Sequence, residues 1–167
     1  MEKVKIGGIM QSDGRALVKL LSVPSNPEAA GAVCASLAEA GINLELLVQS
    51  FDLDDAGNFA MVIAQKDLDH ALSVLEAVKP KVQAKGVTYH PDVAVISVFG
   101  PHLREKPRIP GMMFMAVASV GVGPLAIATS ISSVSCVVEG GHLDAAVQAL
   151  NESFDAPFQV KKRPKEY

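Results

Sequence analysis

The stretch AGINLELLVQS, residues 40–50, decides how the chain is read. A helix stops at Gly41, an amide follows at Asn43, and an apolar, buried-looking strand runs on to a second amide at Gln49. The pattern returns 80 residues later, where VASVGVGPLAIATS from Val117 aligns with LAEAGINLELLVQS from Leu37 and sets Gly121 on Gly41 and Ser130 on Ser50. DLDHALSVL from Asp67 aligns in turn with HLDAAVQAL, Leu68 on Leu143 and Leu75 on Leu150, at an offset of 75. A hairpin trimmed by the difference explains the change, and FDLDDAGNFAM carries the glycine-containing turn to trim. Upstream, LVKLLSVPSNP and VAVISVFGPHLREKP both run strand, loop, proline. The chain contains one unit twice.

Each copy reads strand, helix, strand, strand, helix, then a short strand. In the first, ALVKLLSV is a strand, Asn26 is the expected N-cap, and Pro27 takes the first helical position, where its missing N–H costs nothing. Val33, Leu37 and Ala40 share one helical face, LELLVQ and FAMVIAQ pair as a hairpin, and a second helix opens at Asp67 and ends before Pro80. VTYH closes the unit. In the second copy VAVISVFG, Pro110 to Val120, LAIATS, SVSCVV and His142 to Phe154 repeat the order. Its last strand is missing, and either VKIGGIMQ or FQVKK can supply it.

Composition closes off several functions. The 167 residues are 49% hydrophobic with a formal charge of −3, no Trp and two Tyr. That assures a core but offers neither a basic surface nor an aromatic platform for nucleic acid. Cys34 and Cys136 lack metal-ligand spacing and read as reduced thiols, and MEKVKIGGIM has no signal-peptide core, so the cytoplasm is the expected compartment. No charge falls between Ile109 and Val138, longer than the roughly 20 residues of a membrane span. Gly121, Gly123, Pro124 and many hydroxyls break that run, so no membrane span is expected. DLDDAG at Asp52 to Gly57 starts like a calcium loop but has Ile63 where Glu is required, and GGIM is a strand feature rather than a phosphate loop. His70, His90, His102 and His142 show no paired spacing. No metal, cofactor or catalytic constellation is expected.

A βαββαβ unit used twice, with Gly-Ile-Asn between first helix and second strand, resembles the ACT domain, a small-ligand regulatory module. From Val4 to about Phe154 the chain is similar to the paired ACT domains at the regulatory end of aspartate kinase, through GINLELLVQS, the V-x-S-V-x-G-like strand ending at Gly100, and LDAAVQALNESF. The resemblance implies an α+β chain of two ferredoxin-like units with antiparallel sheets and helices on one face. One unit would span residues 16–91, the other residues 92–156 plus an N-terminal strand at 3–11, with a basic, solvated tail at 157–167. No kinase domain is present in this sequence.

The resemblance also places a ligand. In the family an amino-acid effector sits between the loop after the first strand of one unit and the start of the second strand of another. Carried over, this marks Ser25, Asn26, Glu28 and Ala30 in the first loop and Asn43 and Gln49 on the strand. Their counterparts are Gly123, Thr129 and Ser130 in the second copy, with His102, Arg104 and Lys106 in its loop. Helix-start N–H groups suit a carboxylate and amide side chains its other polar atoms. The first loop, SNPE, departs from the family's Asp-x-Pro-Gly: Ser25 replaces an acid, and Glu28 would repel an arriving carboxylate. Gly123 and Pro124 replace Asn and Ile, and Pro124 has no N–H. The loop GPHLREKPRIPG is cationic and would pair with the Asn43 strand, so the surviving site should favour an anion.

The reading is therefore a non-catalytic regulatory protein that binds an amino acid or related acid, forms a homodimer, and serves a separate enzyme partner. The competing reading is a structural dimerisation module with decayed ligand sites.

Overall fold

The computed structural model describes residues 2–157 and 161–162. Strand β1 is Val4–Lys5, β2 Gly8–Pro24, β3 Leu46–Phe51, β4 Ala56–Ala64 and β5 Gly86–Phe99. Strand β6 is Ala126–Thr129, β7 Ser133–Glu139, β8 Phe154–Asp155 and β9 Lys161–Lys162. The helices are α1 Ala29–Glu39, α2 Leu68–Val82, α3 Arg108–Ser119 and α4 Leu143–Ser153. The chain divides into a continuous unit, Arg15–Asp92, and a split unit made of Met1–Gly14 and Val93–Tyr167.

In the continuous unit β3, β4 and β2 lie side by side and antiparallel, and Lys85 N–H to Leu21 C=O brings the start of β5 alongside β2. Val33 and Leu37 of α1 and Ala71, Leu75, Val78 and Val82 of α2 share one core with Leu20, Phe59 and Ile63 of the strands. Each large side chain fully buried there contributes about 1.5 to 3 kcal/mol. Gly41 ends α1 at φ +72°, and Ile42 N–H closes back on Leu37 C=O at 2.9 Å. That geometry is cheap only without a Cβ.

The split unit repeats the plan with β5, β7 and β6 antiparallel and α3 and α4 over a separate core. Met113 and Ile109 are fully buried in it, Met112 and Phe114 pack partly against it, and Met115 points outward. Four consecutive apolar residues on one helix cannot all face inward. Cys136 sits in this core, where burial pushes its thiol up to about 12, so it stays protonated at neutral pH.

Several boundaries differ from the sequence reading. Helix α1 begins at Ala29 with Glu28 at its cap position, although Asn26 Oδ1 still takes the Glu28 N–H at 2.9 Å. The proline turn comes first and the helix starts after it. Helix α2 runs through Pro80 to Val82, because Val78 and Val82 are both buried and Gln83 then turns the chain at φ 57°. VTYH and VAVISVF form one strand through Pro91, as do residues 8–24. Both candidates for the missing strand take part: Val4–Lys5 pairs in parallel with Phe154–Asp155, and Lys161–Lys162 pairs in parallel with Met10–Gln11. The remainder of the tail expected to be solvated, residues 158–160 and 163–167, lies outside the described residues. Among the described residues no helix is long and apolar enough to cross a membrane.

Candidate functional site

The opening stretch is an edge rather than a buried strand. β3 pairs with β4 and ends the order of strands in its unit, so Leu47, Gln49 and Phe51 alternate onto an exposed face. Asn43 is exposed just before it. Glu45, between them, is almost fully covered and forms an ion pair with Arg15 of β2, Oε2 to Nε 2.7 Å, while its N–H donates to Val62 C=O at 2.8 Å. The pair stands at the residue just before β3. The sequence reading did not include it.

The first loop lies in the same unit as Asn43 and Gln49. Ser25, Asn26 and Glu28 are exposed, Ser25 N–H is bonded to Asp55 C=O, and Ala30 packs partly on the core. Glu28 stands at the helix start, where a ligand carboxylate would otherwise be welcomed.

In the split unit, Gly123, Thr129 and Ser130 are exposed on the counterpart strand and loop, with Ser130 Oγ 2.9 Å from Ser133 Oγ. The cationic loop does more. With the strand that precedes β2, it borders a half-open cavity of about 230 Å³ lined by Lys5, Ile6, Gly7, Gly100, Pro101, Leu103, Lys106 and Ile109. Of the three loop cations expected there, Lys106 lines the cavity. His102 and Arg104 are exposed outside its lining, and His102 Nδ1 is 3.3 Å from Glu105. Lys5 is a second cation that the sequence pattern did not mark.

Two glycines of the lining meet closely. A Cβ on Gly7 would lie 2.8 Å from both Gly100 Cα and Phe99 O, and one on Gly100 would lie 2.8 Å from Gly7 N. Gly7 N–H donates to Phe99 C=O at 2.8 Å and Gly100 N–H to Ser132 C=O at 3.0 Å, so the floor is hydrogen-bonded backbone. Above it the chain turns at His102, φ 58°, through a short helical turn at Leu103–Glu105. Lys106 Nζ then donates to Lys5 C=O at 3.0 Å and latches the loop to the strand. Helix α3 starts two residues later with no acid in its first turn. Two lysines, both exposed, thus stand in the lining of a mostly aliphatic cavity, an arrangement suited to a small anion with an apolar part.

Residues 96–154 match the family model of the ACT domain. All the loop residues of the cavity fall within that match, whereas Lys5, Ile6 and Gly7 precede it. The chain is also similar to the regulatory subunit of aspartate kinase from Thermus flavus, at 28% identity and TM-score 0.83 over 90% of this chain and 99% of that one. The ligand-free regulatory subunit from Thermus thermophilus gives 29% identity and TM-score 0.82 with the same coverage. An aspartokinase of Thermus thermophilus is 32% identical over 157 residues, 93% of this chain and 38% of that protein. The chain thus spans 38% of this curated relative's length. Its mixed α/β architecture, with antiparallel strands and helices, is that of the regulatory domains of aspartate kinase.

Proposed function

We propose that the chain is a non-catalytic tandem ACT regulatory protein that binds a small organic acid in the Lys5–Lys106 cavity and conveys occupancy to an enzyme partner. One observation carries the reading: a glycine-floored cavity with two lysines is built on the loop of the ACT-matched segment. The likeness to regulatory subunits over nearly their whole length supports it, and so does the anion preference expected from the loop's charges. A ligand there would act by differential binding, shifting the arrangement of units only by as much as it prefers one arrangement. Asn43, Gln49, Ser25, Asn26, Glu28, Ala30, Gly123, Thr129 and Ser130 belong to the remaining effector positions of the proposal. A homodimer in the cytoplasm is the assembly proposed. Met115, 73% exposed, and Met112 line an open groove of about 360 Å³ rimmed by Glu2, Lys3 and Glu152, which supports a partner on that face.

The second reading, a structural dimerisation module, is favoured by Glu28 at the start of α1 and by Gly123–Pro124 opposite Asn43 in the repeat. A thermal-shift screen of amino, keto and dicarboxylic acids separates the two. A ligand at a hundred times its dissociation constant stabilises the fold by about 2.7 kcal/mol. The purified chain is expected to give such a shift with at least one acid and to transfer no phosphoryl group from ATP to aspartate. Turnover free of contaminating kinase would refute the non-catalytic reading, and a silent screen would favour the structural module.

A further inference from the structure

We infer that the cavity selects carboxylic acids that lack an α-ammonium group over the amino acids of the same skeleton. This rests on the reading that the cavity is the effector site, and it names the class of effector. An α-amino acid needs two opposite environments a bond or two apart: donors for its carboxylate, and a carboxylate or free carbonyls for its ammonium. The cavity supplies the first. Lys5 and Lys106 line it, and the start of α3 carries no acidic residue.

For the second it offers no carboxylate and has part of its carbonyl set engaged. Among the described residues, no Asp or Glu lines it. The acid of the loop, Glu105, lies 3.3 Å from His102 Nδ1. Three carbonyls of the lining are already engaged: Lys5 C=O accepts from Lys106 Nζ, Leu103 C=O from Lys106 N–H, and Lys106 C=O from Ile109 N–H. An ammonium placed here would share the lining with two cationic side chains and no acid among the described residues, while Ile6, Leu103 and Ile109 offer aliphatic contact to a carbon skeleton. At about 230 Å³ the space is below the roughly 300 to 1,000 Å³ of cavities for drug-sized ligands, which points to short-chain acids and 2-oxo acids.

The test is calorimetric titration with matched pairs: glutamate against glutarate, aspartate against succinate, and leucine against 4-methylpentanoate and 4-methyl-2-oxopentanoate. The wild-type chain, Lys5→Gln and Lys106→Gln are compared. Lys5→Gln keeps the main-chain carbonyl that holds Lys106, so it removes charge without touching the latch. At least one amine-free acid is expected to bind about tenfold or more tighter than its amino acid, and each variant to lose about tenfold, the worth of one charge-assisted hydrogen bond. An amino acid that binds as tightly as its amine-free counterpart, with affinity lost in Lys5→Gln, would leave the site standing and overturn the selectivity. Binding unaffected by both substitutions, or no binding by any pair, would overturn the site and the selectivity together.

Discussion

Replacing Arg15 with alanine is expected to destabilise the chain by about 3 to 5 kcal/mol, more than any other single change considered. The Arg15 and Glu45 side chains are 8% and 9% exposed, and their 2.7 Å contact is charge-assisted. Removing the guanidinium takes this ion pair from the largely covered Glu45 carboxylate just before β3, which costs more than the pair itself contributes. The double variant Arg15→Met with Glu45→Leu removes both charges and keeps the volume, so it should lose much less. Equilibrium urea unfolding of the two variants checks this. Arg15→Ala within about 1 kcal/mol of wild type would show that the pair is solvated.

The second large effect falls on the cavity floor. Gly7→Ala puts a methyl 2.8 Å from two backbone atoms, Gly100 Cα and Phe99 O, and backbone held by the Gly7–Phe99 hydrogen bond cannot simply rotate away. Overpacking of this kind costs about 1 to 3 kcal/mol. The strand and loop must part, so the variant should also lose its thermal response to acids. Gly31→Ala is the control, since a Cβ there meets nothing within 4 Å and replaces a helical glycine, which should stabilise by about 0.5 to 1 kcal/mol. Equal losses in the two variants, measured by urea unfolding, would contradict the close approach of Gly7 and Gly100.

How far these features could be read in advance depends on how local they are. The repeat, the helix stop at Gly41 and the cationic loop are written in consecutive residues, and each has its place in the fold. Strand continuity was less legible. VTYH and VAVISVFG read as two strands, yet β5 runs through Pro91 between them, and Pro91 C=O accepts from Gln65 Nε2 at 2.8 Å. Charge partners were not legible at all: Glu45 in LELL looks like a surface acid until Arg15, thirty residues earlier, is brought beside it. The cavity shows the same limit. Lys106 could be marked from its loop, but Lys5 and Gly7 acquire meaning only when the N-terminal strand is laid against that loop. Conversely, the buried look of LELLVQ came from composition, whereas alternation along β3 turns Leu47 and Phe51 onto an exposed face.

The central claim, that the Lys5–Lys106 cavity is the regulatory ligand site, is tested most directly by amide chemical-shift mapping during titration with the acid that gives the largest thermal shift. The largest saturable changes are expected at the amides of Lys5, Gly7, Gly100, Leu103, Lys106 and Ile109. Changes confined to Ser25–Glu28 and Asn43–Gln49, with the Gly7 and Gly100 amides unmoved, would place the ligand elsewhere and contradict the account.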